Sequence, residues 1–208
     1  MRNVPATRGS VGRASLICVV DDDPDVLESL ATLLDVAGYA VVSFVSGDAL
    51  LKSGAPKDAA CVLLDLHLGT GPDGIEVLEE LRRRGDGTPV VMVTAHGDVA
   101  AAVRAMRAGA ADFVEKPYSR DRLLAAVADA RARGAFQARA ATLLGQLTRR
   151  EREVLDGLVA GKANKQVAYD MGISPRTVEV YRAALMVKLQ ARSFADAVRI
   201  VLAQPGVS

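Results

Sequence analysis

The sequence predicts an α/β protein with a five-stranded parallel doubly wound sheet, followed by a separate all-α module of four helices. Three observations carry that prediction. Over residues 16–133, short apolar runs rich in Val, Ile and Leu alternate with helical stretches, the pattern of strands buried on both faces and joined by crossover helices. From Leu147 onward the strand pattern stops, and only helical segments with short joints remain. The charge changes sign as well. Residues 16–133 hold 12 Lys and Arg against 19 Asp and Glu, a net of −7; residues 146–208 hold 10 against 6, a net of +4. An acidic first part and a basic last part point to a nucleic-acid-binding module at the end of the chain.

The elements follow in order. LICVV (16–20), YAVVSF (39–44), ACVLLD (60–65), PVVMVT (89–94) and ADFVEK (111–116) are the strands, and helices are expected near 24–37, 47–53, 75–84, 98–108 and 119–133. Ala37-Gly38, Gly85-Asp86-Gly87 and Ala108-Gly109 supply stop signals. The Ala-rich run 134–146 either extends the fifth helix or links two domains, with Gly134 and Gly145 as candidate hinges. The last four helices lie in LTRREREVLDGLVAG, ANKQVAYDMG, SPRTVEVYRAALMVKLQ and SFADAVRIVLAQ. Thr148 with Glu151 fits a capping box, and Ser174-Pro175 fits an N-cap followed by proline at the first helical position. The expected organisation is a tail (1–14), an α/β domain (15–133), a helical linker (134–146) and an all-α domain (147–208).

Composition narrows the class. Half of the 208 residues are hydrophobic, aromatics are 4% and Trp is absent, so Ala, Val and Leu must fill the core. Cys18 and Cys61 lie inside strand-like runs and are expected to be buried thiols in a reducing compartment. No apolar run reaches the ~18–20 residues of a membrane span, and MRNVPATRGSVGRAS lacks the apolar stretch of a signal peptide. A cytoplasmic protein is expected.

The chemistry gathers at strand ends. Three carboxylates in a row, Asp21-Asp22-Asp23, follow LICVV. Neighbouring carboxylates resist ionising together unless exposed or offset by a cation. Asp23-Pro24 reads as a helix entry. In open α/β sheets, ligands sit at the carboxyl ends of the strands. That edge would collect Asp21 and Asp22 from strand one, Asp65 from strand three, Thr94 from strand four and Lys116 from strand five. Oxygen ligands beside a place for a phosphate suit Mg²⁺.

VVDD, LLD, VVMVTAHGDV and DFVEKPY, with 22 positions from Thr94 to Lys116, resemble the receiver domain of bacterial two-component response regulators over residues 15–131. The resemblance implies Asp65 as phosphoacceptor. It implies that Asp22 binds Mg²⁺ directly, Asp21 through water, and His67 through its backbone carbonyl. It assigns Thr94 and Lys116 to the phosphoryl oxygens and makes Phe113 the switch aromatic, moving when Thr94 is drawn inward. Lys116-Pro117 is a candidate cis peptide. The sequence departs from the family at Gly69, where proline is usual four residues after the acceptor, and HLGTGPDG is one residue longer than usual; both imply a different loop path. His67 and His96 should flank the mouth of the site, either as plain loop residues or as a pH-sensitive gate.

Residues 147–204 resemble the LuxR-type helix-turn-helix domain, and with the receiver the chain is similar to the FixJ branch of NarL/FixJ regulators. Val178, Leu185 and Leu189 fall at core spacing in the segment 175–190. Arg176, Glu179, Val180 and Ala183 then lie toward the outer face near the groove-entering end, and Thr177 is a further candidate DNA contact. Glu179 can accept from cytosine N4, and Val180 can meet a thymine methyl. Lys165, Arg182 and Lys188 are candidate phosphate contacts, although a solvated surface role is the plainer one for Lys188. Tyr181 replaces a frequent family histidine. Val198, Val201 and Leu202 form a stripe for packing or for a dimer seam.

The function expected is a transcription regulator switched by a sensor histidine kinase that phosphorylates Asp65 with Mg²⁺. It would form a homodimer on paired DNA half-sites, with no catalysis beyond its own phosphorylation and dephosphorylation. The alternative is DNA binding independent of phosphorylation, with the receiver as an interaction module. A Mg²⁺-dependent phosphatase is disfavoured because position 67 is His where such enzymes carry a second Asp.

Overall fold

The computed structural model describes residues 15–69, 71–95 and 99–204. The chain divides into two compact units, residues 1–134 and 135–208.

In the first unit the strands β1 (Leu16–Val20), β2 (Ala40–Phe44), β3 (Cys61–Leu64), β4 (Val90–Thr94) and β5 (Asp112–Glu115) form one sheet in the order β2-β1-β3-β4-β5. Every neighbouring pair is parallel. The connections contain α1 (Pro24–Val36), α2 (Gly47–Ser53), α3 (Gly74–Arg83) and α4 (Val99–Arg107), and α5 (Arg120–Gly145) follows β5. Alternation along the strands sends side chains into two cores. Cys18, Val20, Val62, Leu64 and Met92 meet Leu50, Leu78 and Ala105 on one face. Ile17, Val19, Cys61, Leu63 and Val91 meet Leu30, Leu34, Leu123 and Val127 on the other. This is the fold class expected, and it explains why the strands read as continuous apolar runs. The two cysteines are free, fully buried and in different cores. Burial pushes both thiols up to about 12.

The helices begin where the chain supplies caps. The Asp23 side chain accepts from the Asp25 amide, with Pro24 at the first helical position of α1. Asp73 and Glu76 form a reciprocal capping box at α3. The Arg82 guanidinium donates to the carbonyls of Asp86, Thr88 and Gly109, which ties the end of α3 to the approach to β4 and to the turn after α4.

The helix expected to end at 133 continues to Gly145, so the Ala-rich run is helix. Gly134 does not break it. A Cβ on Gly134 would lie 2.5 Å from Pro89 Cγ, so its missing side chain serves close packing rather than a hinge.

In the second unit, α6 (Arg149–Val159), α7 (Asn164–Met171), α8 (Pro175–Lys188) and α9 (Phe194–Leu202) surround a core that includes Leu143, Val154, Leu155, Val167, Leu185 and Ile200. The Thr148–Glu151 capping box and the Ser174 cap form as the sequence predicts. Gly172, in the left-handed conformation at φ 65°, closes α7 before α8 begins. Among the described residues, no helix is long and apolar enough to cross a membrane.

Candidate functional site

Parallel strands all finish at the same edge, and the backbone ladder fixes their ends against one another. The Asp65 amide donates to the Val20 carbonyl at 2.9 Å, placing the end of β3 beside the end of β1. The Lys116 amide donates to the Thr94 carbonyl at 2.8 Å, placing the end of β5 beside the end of β4. Asp21, Asp65 and Thr94 are buried there, at 3%, 8% and 0% exposure. The Lys116 ammonium joins the two acids, 2.7 Å from Asp21 Oδ2 and 2.9 Å from Asp65 Oδ2.

The other oxygens of these carboxylates are held by their own turns. Asp21 Oδ1 accepts from the Asp23 amide at 3.0 Å, and Asp65 Oδ1 accepts from the His67 amide at 3.1 Å. Burial pushes the Asp21 carboxyl above the usual range; the Lys116 hydrogen bond offsets this only in part. Burial also opposes the Lys116 charge, but its hydrogen bonds to Asp21 and Asp65 outweigh that, so its pKa is raised. Burial raises the Tyr118 phenol nearby. The Lys116-Pro117 bond is cis.

The remaining receiver candidates fall around this centre. Asp22 is exposed at the end of β1, and His67 is exposed two residues past Asp65. Phe113 is half-buried on β5 and packs against the Cys18-side core. His96 lies outside the described residues. Two glycines that sequence reasoning passed over as contacts shape the loop after Asp65. A Cβ on Gly74 would lie 2.2 Å from the Asp65 carbonyl oxygen, and one on Gly69 would lie 2.8 Å from Asp22 Oδ2. Gly69 has φ +58°, which proline, locked near −65°, cannot adopt. That accounts for the departure noted at this position.

In the second unit, Lys165 on α7 and Arg176, Glu179, Val180 and Arg182 on α8 are exposed. Thr177 is half-buried; its amide donates to Ser174 Oγ, and the two hydroxyls lie 2.8 Å apart. The Arg182 guanidinium lies 5.5 Å from the Phe194 ring centroid. Tyr181 is half-buried against the core. Lys188, a candidate phosphate contact, turns inward instead: its ammonium sits 2.7 Å from Glu151 Oε2, and Glu151 is 5% exposed. No spacing rule links these residues, which are 37 positions apart.

A buried acid–lysine cluster at the carboxyl edge of a five-stranded parallel sheet, with a basic helical module beyond it, defines a two-component response regulator of transcription. Residues 17–128 match the response regulator receiver domain, and residues 145–201 match the bacterial regulatory proteins of the luxR family. The chain belongs to the NarL/FixJ-type response regulators. It is 48% identical to the transcriptional regulatory protein FixJ of Azorhizobium caulinodans, over 88% of this chain and 90% of that protein. It is 42% identical to FixJ of Bradyrhizobium diazoefficiens, over 89% and 94%. Among solved structures, full-length FixJ from B. japonicum aligns with a TM-score of 0.54 at 40% identity, over 91% of this chain and 96% of that one. The response regulator StyR aligns at 0.55 and 38% identity, over 90% and 98%.

Receiver domains generally bind Mg²⁺ for phosphorylation. The donor chemistry here suits a hard cation: the side chains of Asp21, Asp22 and Asp65 offer only oxygen. Two of them already converge on one positive charge, that of Lys116. Among the described residues, no three His, Cys, Asp or Glu side chains form a group that could hold a metal ion by themselves; a Mg²⁺ site built from two direct carboxylates, a third through water and a backbone carbonyl does not require one.

Proposed function

We propose that this regulator is switched by phosphoryl transfer from the phosphohistidine of a sensor histidine kinase to Asp65. A carboxylate oxygen of Asp65 attacks phosphorus, the new P–O bond forms as the P–N bond breaks, and the imidazole leaves with a proton. The observation that carries the proposal is the Lys116 ammonium shared by buried Asp21 and Asp65. It is a fixed positive charge where three phosphoryl oxygens would arrive. Asp22, Asp65 and the His67 carbonyl would hold Mg²⁺ directly and Asp21 would hold it through water; the ion would offset negative charge on the acceptor and the incoming group. Thr94, at the end of β4, would donate its hydroxyl to a phosphoryl oxygen. Its movement would open space for half-buried Phe113 and bias the face built from α4 and β5. Dephosphorylation would be the receiver's own hydrolysis of the acyl phosphate.

The phosphorylated receiver would dimerise and bring two α8 helices to paired half-sites on double-stranded DNA, gaining affinity from the linked second contact. Arg176, Thr177, Glu179 and Val180 would face base edges, and Lys165 and Arg182 would meet phosphates. The test is Asp65→Asn, assayed for uptake from a small phosphoryl donor and for gel shift with and without that donor. The variant should take up no phosphoryl group and show no donor-dependent shift. A full response from the variant would remove Asp65 as acceptor; a wild-type shift indifferent to donor would favour the phosphorylation-independent alternative.

A further inference from the structure

The loop after Asp65 departs from the receiver pattern at Gly69, and the structure gives that departure a physical content. Two constraints meet at this residue. Its φ of +58° is a left-handed conformation that residues with a side chain resist. Its missing side chain also faces Asp22: a Cβ there would lie 2.8 Å from Asp22 Oδ2, 3.6 Å from Cγ and 3.7 Å from Cβ. A methyl group cannot stay 2.8 Å from a carboxylate oxygen, so one of the two must move. The carboxylate ends a short side chain on an exposed residue, so it is the part that swings away. The fold would lose little by that swing. What would be lost is the direction in which Asp22 presents its oxygens.

We propose that Gly69 is a positioning residue for the cation site: the chain passes so close to Asp22 that only a residue without a Cβ leaves the Asp22 carboxylate in place. This rests on the assignment of Asp22 as a Mg²⁺ ligand. It accounts for glycine at a position where proline, incompatible with the φ found here, is the family habit. The cation affinity of this receiver therefore depends on the residue four places after its acceptor.

The comparison glycine is Gly54, which has a similar φ of +69° but nothing within 4 Å of an added Cβ. Gly54→Ala carries the backbone cost of an alanine at positive φ without the contact. The experiment titrates the full-length protein with Mg²⁺ and follows backbone amide resonances around Asp22, Asp65 and Lys116, with melting curves in parallel. Gly69→Ala should bind Mg²⁺ about tenfold or more weakly, in the range seen when a supporting neighbour of a metal ligand is altered. Gly54→Ala should lose comparable thermal stability yet bind within about twofold of wild type. Gly69→Asn tolerates positive φ better and carries the same Cβ, so it should repeat the loss even if the alanine variant folds poorly. In an Asp22→Ala background, Gly69→Ala should add nothing, because the group it displaces is gone.

Affinity within twofold of wild type in both Gly69 variants overturns the proposal. So does an equal loss in Gly54→Ala, or a full further loss on top of Asp22→Ala. If Asp22→Ala alone leaves Mg²⁺ binding unchanged, it is the ligand assignment that fails, and that outcome is separate from the others.

Discussion

Lys188→Met separates a structural lysine from a DNA-contacting one, and the geometry sets the size of its effect. In the folded protein Glu151 Oε2 accepts from the Thr148 amide at 2.7 Å, the Thr148 hydroxyl at 2.8 Å and the Lys188 ammonium at 2.7 Å. Methionine removes the only cation among these donors and leaves a carboxylate whose side chain is 6% exposed. Stripping one partner from a buried ion pair costs about 3–5 kcal/mol. Here the lysine side chain is 35% exposed, so solvent screens part of the interaction, and the Thr148 bonds remain. About 2 kcal/mol is the expected loss. For a unit of this size that moves the melting transition by roughly 10 °C.

The pH dependence carries a sign. The hydrogen bond from Lys188, and next that from the Thr148 amide, hold the Glu151 carboxyl below its ordinary range. Its stabilisation is therefore present above the unfolded carboxyl value of about 4.3 and is lost as pH falls through the lowered folded value. Urea unfolding of wild type and Lys188→Met should differ most near pH 7 and converge in acid, where Glu151 is neutral in both. DNA affinity measured against salt should keep the wild-type slope, whereas loss of a phosphate contact would flatten it by about 0.9. Equal stability at pH 7, or a deficit that persists unchanged in acid, would refute the pairing argument. A flattened slope would return Lys188 to the DNA.

Two other expectations follow from the geometry. Gly74→Ala puts a methyl against the backbone carbonyl of Asp65, the proposed acceptor, and within 2.8 Å of Met92 Cε. The receiver should lose about 1–3 kcal/mol to overpacking and, because small displacements of a reacting group are costly, take up phosphoryl at least about tenfold more slowly; unfolding curves and small-donor phosphorylation check both, and wild-type behaviour in each would show that the loop gives way freely. Val180 is exposed at 62% on α8 beside Glu179. Replacing thymine by uracil in a bound half-site should weaken binding at one position by about 0.8 kcal/mol, the worth of one buried methyl-sized group, if Val180 meets the methyl, and Val180→Ala should erase that difference; a gel shift insensitive to every such replacement would exclude methyl readout by Val180.

Much of the fold was legible because it rests on local rules. Short apolar runs mark β1 to β5, with Gly turns ahead of β2, β4 and β5, and Asp23-Pro24, Thr148–Glu151 and Ser174-Pro175 announce their helices. The strand-end rule brought Asp21, Asp65, Thr94 and Lys116 to one edge, because parallel strands finish together whatever fills the connections. What escaped was contact between segments with no periodic relation. Glu151 and Lys188 meet only once α6 and α8 have packed. Gly69 reaches Asp22 through a loop path no composition rule encodes. The length of α5 was undecided because Gly134 reads as a breaker locally, while its contact with Pro89 is made far along the chain.

Cys18 and Cys61 stand on neighbouring strands of one sheet, yet each thiol belongs to a different layer of the sandwich. The sheet keeps them from forming a disulfide with each other, and neither meets solvent while its layer is closed. With two cysteines in the whole sequence, thiol labelling becomes a pair of clocks. Modification of Cys18 times the opening of the α2–α4 side, and modification of Cys61 times the opening of the α1–α5 side. Whether the two layers part in concert or one after the other is thus readable from the native chain, with no engineered probe.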